Sequence, residues 1–328
     1  MSNILTIAGQ NLLTPMILSF GLGLIAALAR SELTIPEAMA KAMSIYLLFA
    51  IGFKGGVSVA THGVDGHLVA SLLAGVALSF LLPFVAFALL RVLTAMSALD
   101  AAAVAAHYGS ISIVTFVTAT SVLSGQGIES EGFMVAVAAA MEAPAIISAL
   151  WLATRDGARA GSAVRVDARL WHEILLNGSI VLLLGAFVIG ALTGPPGMAR
   201  IESFIVSPFQ GVLCLFLLDM GLVAGRGLRG VRGLLGPGAV IFGIVMPLIG
   251  ATAGMAAGVA LGLSAGGLAL MMTLGASASY IAVPAAMRVA LPEANPALYL
   301  TLSLGITFPF NLTLGIPTYV ALAQWIAG

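Results

Sequence analysis

Long apolar runs alternate with short polar breaks along the whole chain. Runs near 20 residues are long enough to cross a bilayer as helices. The pattern predicts ten spans: Asn11–Ala29, Ala38–Lys54, Leu68–Val92, Leu99–Leu123, Phe133–Ala153, Trp171–Thr193, Phe204–Ala224, Leu235–Leu261, Leu268–Leu291 and Ala297–Ile326. Two of them depart from uniform apolarity. The fourth carries a small polar centre of His107, Gly109, Ser110, Ser112 and Thr115. The ninth carries Gly275, Ser277, Ser279, Tyr280 and Pro284 at the matching place. These spans are expected to be broken helices, interrupted near Tyr108–Ile111 and Gly275–Ser279. Paired interruptions in two halves of a membrane chain are the best sequence pointer to a transporter's binding site.

The halves echo each other. Phe20-Gly-Leu-Gly matches Leu184-Gly-Ala-Phe, and Ile51-Gly-Phe-Lys-Gly-Gly matches Met220-Gly-Leu-Val-Ala-Gly. Gly109-Ser-Ile-Ser matches Ala276-Ser-Ala-Ser, and Met141-Glu-Ala-Pro matches Ile306-Thr-Phe-Pro. The offsets are 164, 169, 167 and 165, so one drifting register orders all four. The expected organisation is a five-span repeat over residues 1–153, a linker loop over 154–170, and a second repeat over 171–328. Five spans per half is an odd number, so the second repeat is inverted in the membrane. With the N-terminus outside, eleven Lys and Arg lie on the cytoplasmic side and only Lys54 and Arg200 on the outer side. Both termini are therefore expected to be external, in a multi-pass inner-membrane protein.

Composition removes the other classes. The chain is 60% hydrophobic and 8% charged, against about 25% charged in soluble domains. No alternation of apolar and polar residues marks the strands of an outer-membrane barrel. The fold class is therefore an all-α membrane protein. A formal net charge of zero gives no field for nucleic acid. A single Cys214 leaves no intrachain disulfide. Met1–Gln10 lacks a basic segment, so the first run is read as a retained helix. No phosphate-binding loop, nucleophile–base motif or zinc-protease signature is present, so neither ATP-driven transport nor an enzyme is expected, and no cofactor.

The candidate chemistry lies at the interruptions. A helix N-terminus offers unpaired N–H groups and partial positive charge, and binds anions when aimed into a cavity. Two half-helices starting after the interruptions would bring two such ends together, with Ser110, Ser112, Ser277 and Ser279 adding hydroxyl donors. The alternative for each serine is close helix packing. Pro144 and Pro309, inside spans, would free the carbonyls of Ala140 and Gly305 for a sodium ion. Glu142, Thr307 and Asn311 are polar neighbours for that ion, and a carboxylate at bilayer depth is a functional candidate by default. The alternative for Glu142 is an ion pair or a hydrogen-bonded acid, and for Pro309 a simple kink. Asp100 is expected to cap the fourth span. Lys54 is expected to end its span and snorkel to the outer surface. His107 is read as a ligand or a structural hydrogen-bond donor, and Asp219 as paired or facing water. His62, Asp65 and His67 lack the spacing of a metal site.

These residues resemble the SbtA-type sodium-dependent bicarbonate transporters, first known from cyanobacteria. The likeness covers nearly the whole chain and is best at Leu99-Asp-Ala-Ala, Gly109-Ser-Ile-Ser-Ile-Val-Thr, Ala140-Met-Glu-Ala-Pro-Ala, Glu293-Ala-Asn-Pro-Ala-Leu-Tyr and Ile316-Pro…Leu322-Ala-Gln. The resemblance implies five-plus-five inverted repeats with core and gate domains, assembled as homotrimers. It implies sodium-coupled bicarbonate uptake, with the anion held where the two broken helices meet. Gly109, Ser112, Thr115, Ser277 and Ser279 match the family's motif positions. The family's Ser-Ser-Ser-Asp is Ser277-Ala-Ser-Tyr280 here, so a phenol replaces a carboxylate near the site. Control by a PII-like signalling protein belongs to the family, but the Thr154–Asp167 loop is shorter than in the cyanobacterial proteins.

The expected function is secondary active transport of bicarbonate or a similar small anion by alternating access, with sodium as the coupling ion. The expected anion site is Gly109, Ser110, Ser112, Ser277, Ser279 and Tyr280. The expected sodium site is Thr115, Glu142, Thr307 and Asn311. The rival readings are proton- or sodium-coupled transport of another small organic anion on the same fold, and an anion sensor without flux.

Overall fold

The computed structural model describes residues 13–63, 66–157, 172, 176, 178–230 and 235–327. The expectations for Met1–Gln10, Asp65, Arg159, Arg165, Arg169, Arg232, most of the 154–170 linker and the start of the sixth span lie outside the described residues. Among the described residues the chain is helical, with no strand.

The helices are α1 Pro15–Leu28, α2 Glu37–His62, α3 Gly66–Leu93, α4 Ala98–Gly109, α5 Ile113–Gly125, α6 Met134–Ala140, α7 Pro144–Gly157, α8 Gly178–Ile205, α9 Phe209–Gly230, α10 Pro237–Ala260, α11 Ala265–Ala276 and α12 Ala282–Ala290. A last helix, α13 Pro296–Ala327, widens to π-helical turns at Thr301–Thr307 and Asn311–Gly315. Among the described residues, eight stretches are long and apolar enough to cross a membrane. Pro15–Leu28 and Ala265–Ala276 are apolar but shorter, with 14 and 12 residues.

The two polar-centred segments lie deepest. Residues 101–119 and 266–280 are buried without exception. In α4 this follows from the run Ala101–Ala106, whose small side chains let α3 and α7 close around it. The outer surface is apolar instead: Leu73 and Leu81 on α3 and Val188 and Leu192 on α8 face outward. That is the inverse of a soluble protein and suits a lipid solvent.

Glycine sets the closest contacts. A Cβ on Gly23 of α1 would run into the Leu218 carbonyl of α9, and one on Gly221 into the Phe20 carbonyl. Helices α2 and α8 meet in the same way, through Gly56 against the Phe187 carbonyl and Gly190 against that of Phe53. Elsewhere α3 packs on α4 and α7, and α10 and α13 pack on α11.

Four expectations are corrected. Lys54 does not end its span: α2 runs on through Gly55 and Gly56 to His62, because these glycines are packing contacts and not a stop. The seventh span begins at Phe209 and not at Phe204, while the sixth breaks at Gly194, directly after its expected end at Thr193. Gly194 takes φ 56°, the chain bends, and the helix resumes with Pro195 and Pro196 in a first turn where their missing N–H groups cost nothing. Nor is Pro144 interior to a helix. The span around it is interrupted at 141–143, and Pro144 opens α7. Pro309 gives the smooth π-helical widening on both sides of Phe308–Phe310 and not a sharp kink.

Candidate functional site

The first interruption falls between α4 and α5, at 110–112, and the second between α11 and α12, at 277–281. Each lies within a residue or two of its expected place. Ser112 is the N-cap of α5, the ordinary device for satisfying a helix's first N–H groups, whereas α12 has Ile281 at its N-cap and is reached by a serine two residues earlier. Ser112 Oγ accepts from Thr115 N at 3.2 Å, and Ser279 Oγ accepts from Val283 N at 3.4 Å. Neither hydroxyl hydrogen has a partner among the described residues, so both remain available as donors.

The interruptions cross and bond to each other. Ser279 N donates to His107 O at 2.7 Å, and Ser112 N donates to Ser277 Oγ at 3.0 Å. Ser277 Oγ in turn donates to Leu274 O at 3.0 Å. Ser110 Oγ donates to Glu142 Oε2 at 3.3 Å. Gly109 lies where a side chain would strike the Pro83 ring and the Ser79 carbonyl.

A cavity of about 10 Å³, room for about one water-sized particle, lies beside the crossing. Ser112, Glu142, Ser279, Tyr280 and Ser179 line it. The Tyr280 hydroxyl is buried and makes no hydrogen bond, with the Ser112 hydroxyl close by. Three hydroxyls with spare hydrogens and one carboxyl therefore face a space of ionic size. Donors of that kind suit an oxyanion, and the carboxyl suits a cation.

The structure brings Ser112, Ser279, Tyr280 and Glu142 together at this cavity, with Ser110 and Ser277 one bond behind. Thr115 contributes its backbone N–H to the Ser112 cap. Thr307 and Asn311 do not line the cavity. Thr307 Oγ1 donates to Gly243 O at 2.7 Å and accepts from the Tyr108 hydroxyl at 2.7 Å. Asn311 Nδ2 donates to Ala276 O at 2.8 Å, and Asn311 Oδ1 accepts from the Tyr319 hydroxyl at 3.0 Å. Asn311 braces the second interruption, while Thr307 ties α13 to α10 and to Tyr108 beside the first.

Several supporting residues escape sequence reasoning. Ser79 Oγ donates to Met141 O and accepts from Ala145 N at 3.2 Å, so it stitches the gap before α7 and holds Glu142 in place. A lone serine in an apolar span carries no signal of this. Asp100 is not the cap it was expected to be: Ser97 is, its Oγ accepting from Asp100 N at 3.0 Å and donating to Asp100 Oδ2 at 2.7 Å, while Asp100 Oδ1 accepts from Asn295 N at 2.8 Å. At α11 the cap is Ser264, whose N and Oγ both donate to Glu131, at 2.7 and 3.0 Å. His107 is structural on one side: Nδ1 sits 2.7 Å from Ala103 O, and the ring stacks on Tyr299 at 4.4 Å.

A second cleft, of about 540 Å³, runs between α9 and the start of α13 and reaches Tyr280 and Ile281. Those two residues also line the small cavity. The central space thus adjoins a cleft at the end of the molecule that holds Arg226. Among the described residues, no three of His, Cys, Asp and Glu gather as a metal centre.

Among the described residues, eight apolar stretches around one crossing of two polar interruptions mark a multi-pass membrane protein. A sequence model of the Na+-dependent bicarbonate transporter superfamily matches residues 15–324, and the chain belongs to that family. This is a superfamily of transporters and not a class of enzymes. No curated protein matches the chain.

Proposed function

We propose that the chain is a sodium-coupled bicarbonate symporter working by alternating access. The observation that carries this is the crossing itself. Two helix starts are tied by Ser279 N to His107 O and Ser112 N to Ser277 Oγ, and they leave the Ser112, Ser279 and Tyr280 hydroxyls facing one cavity with Glu142. In this reading the hydroxyls and the adjacent helix starts hold the anion, and Glu142 and its neighbours hold sodium. Sodium offsets the cost of bringing an anion into the bilayer. Its charge also draws on the membrane potential, at about 2.3 kcal/mol per charge per 100 mV.

The same reading counts ten spans. It adds α1 to the eight long stretches and joins α11 to α12 across the second interruption. It divides the chain into repeats 1–153 and 171–328 joined by a cytoplasmic loop. Residues 167 apart support the repeat: the caps Ser97 and Ser264, and the crossing pairs Ser110 with Ser277 and Ser112 with Ser279. Asp100 corresponds to Gly267, and there the Glu131 carboxylate fills the space that a side chain on Gly267 would need. The four helices α1, α2, α8 and α9 form the gate, and the others form the core. Both termini are external, the membrane is the inner one, and the assembly is a homotrimer. The Arg226 end is cytoplasmic, and the cleft reaching Tyr280 supports an inward-facing form. A PII-like regulator would have to use the cytoplasmic loop.

The test is uptake of radiolabelled bicarbonate into proteoliposomes with and without an inward sodium gradient, for wild type and Ser279→Ala. Sodium-dependent uptake that is lost in the variant supports substrate and site together. Bicarbonate uptake indifferent to sodium sinks the coupling. Tyr280 favours one second reading, since its hydroxyl shares the cavity with Glu142: a proton-coupled transporter of another small organic anion. Uptake that follows pH and ignores sodium would select it.

A further inference from the structure

That mechanism leaves Lys54 unused. It is one of two lysines in the chain, the other being Lys41 near the start of the same helix. Lys54 is half-buried in the interior of α2, and its Nζ sits 4.6 Å from the centroid of the Phe209 ring. Among the described residues no carboxylate neutralises it. The Glu131 carboxylate lines the same cleft, turned to the N–H and O–H of Ser264, and makes no ion pair with Lys54, while Glu129 lines the adjoining space. The cleft, of about 170 Å³, lies between α2 and helices α5, α6 and α11, with Thr120 and Ser130 among its walls. It adjoins a second space of about 280 Å³, with which it shares Ser58, Ser130 and Glu131.

An aromatic face stabilises a cation without cancelling its charge. A cation left uncompensated in a cleft with low-dielectric walls raises the local concentration of anions. In the repeat, Lys54 corresponds to Val223, which lines the cleft at the Arg226 end. Arg226 itself donates to Leu33 O at 3.0 Å. At this repeat position one mouth of the gate–core boundary carries an ammonium group and the other an isopropyl group, with the Arg226 guanidinium nearby and turned to the Leu33 carbonyl.

We propose that Lys54 forms a docking site for a small oxyanion at the outer mouth of the pathway, distinct from the crossing. Its placement outside rests on the transporter reading given above. The ammonium group collects the anion from the external solution and hands it inward along the face of α5.

Two measurements on the full chain test this. In proteoliposomes, Lys54→Met keeps the stem and removes the charge. The KM for external bicarbonate is expected to rise roughly five- to tenfold with the maximal rate within about twofold of wild type, and the dependence of KM on ionic strength is expected to flatten. Lys54→Arg is expected to restore both. The second readout does not need transport. Modification of the two lysines by an amine-reactive reagent is followed by mass spectrometry in detergent. Nitrate, a planar three-oxygen anion, is expected to slow reaction at Lys54 but not at Lys41, relative to gluconate at the same ionic strength. Protection of Lys54 without any bicarbonate flux keeps the docking site and removes the proposed substrate. Protection of neither lysine, or of both equally, overturns the docking site whatever the flux, as does an unchanged KM in Lys54→Met.

Discussion

At the first interruption, Ser110 turns its hydroxyl toward a buried carboxyl, while Ser112 has its N–H held from across the crossing. At the second, Ser277 and Ser279 both reach over, one with its oxygen and one with its N–H, and Asn311 ties Ala276 from behind. The two segments share a serine pattern and divide the labour. The second segment supplies the clasp, and the first turns Ser110 toward Glu142, the carboxylate that the gap between α6 and α7 brings to the central cavity. Two segments with one serine pattern can therefore carry different parts of a site.

The largest effect tests that division at Glu142. Glu142→Gln keeps the shape and removes the charge. Sodium-dependent uptake is expected to fall roughly a hundredfold, about 2.8 kcal/mol at 1.4 kcal/mol per decade, with thermal stability in detergent unchanged or improved. Uptake within twofold of wild type would remove Glu142 from the coupling site. Ser277→Ala should act through stability instead. It leaves the Ser112 N–H buried without an acceptor, at a cost of about 1–3 kcal/mol, read as a lowered unfolding midpoint. Ser110→Ala breaks a single long bond and should cost only about 0.5–1.5 kcal/mol. If Ser110→Ala proves the more damaging of the two, the clasp has been assigned to the wrong segment. The smallest structural effect is expected for Tyr280→Phe. No hydrogen bond is lost, so stability should hold, while the KM for bicarbonate should rise by about two- to threefold through loss of one donor. Thr307→Val sharpens the contrast from outside the cavity. It strands the Gly243 carbonyl and the Tyr108 hydroxyl, costing about 1–3 kcal/mol of stability with no change in the sodium concentration for half-maximal uptake.

Much of this was legible in the sequence, for physical reasons. Apolar run length marks a span because the bilayer has a fixed thickness, and runs such as Leu68–Val92 and Leu235–Leu261 match α3 and α10 to within a few residues. The interruptions were legible because serine next to glycine inside an apolar run has few other uses. The start of the fourth span was legible from Asp100, but the cap is Ser97 three residues earlier, with Asp100 as its partner. Long-range bonds were not. Nothing near Ser79 announces that it binds Met141, and nothing near Glu131 announces Ser264. Thr307 and Asn311 were expected beside sodium because they follow Glu142's repeat register, yet a π-helical turn rotates side chains away from an α-helical expectation. Gly55, Gly56 and Gly194 show the same ambiguity in the backbone. Two are contact points in a continuing helix, and one bears a real bend.

The glycine seams of α1 with α9 and of α2 with α8 have a mechanical consequence. Backbone rests directly on backbone there, with no side chain between that could change rotamer. Such a joint has almost no compliance, because close-packed atoms resist both compression and shear. The four helices should behave as a stiff brace that transmits a push without absorbing it. Slippage is then confined to boundaries padded with flexible side chains, such as that of Met220 and Leu304 beside Tyr280. A change in membrane thickness or lateral tension would thus be felt as a displacement of one rigid frame against its neighbour, and in amide hydrogen exchange the seams should be the last part of the protein to open.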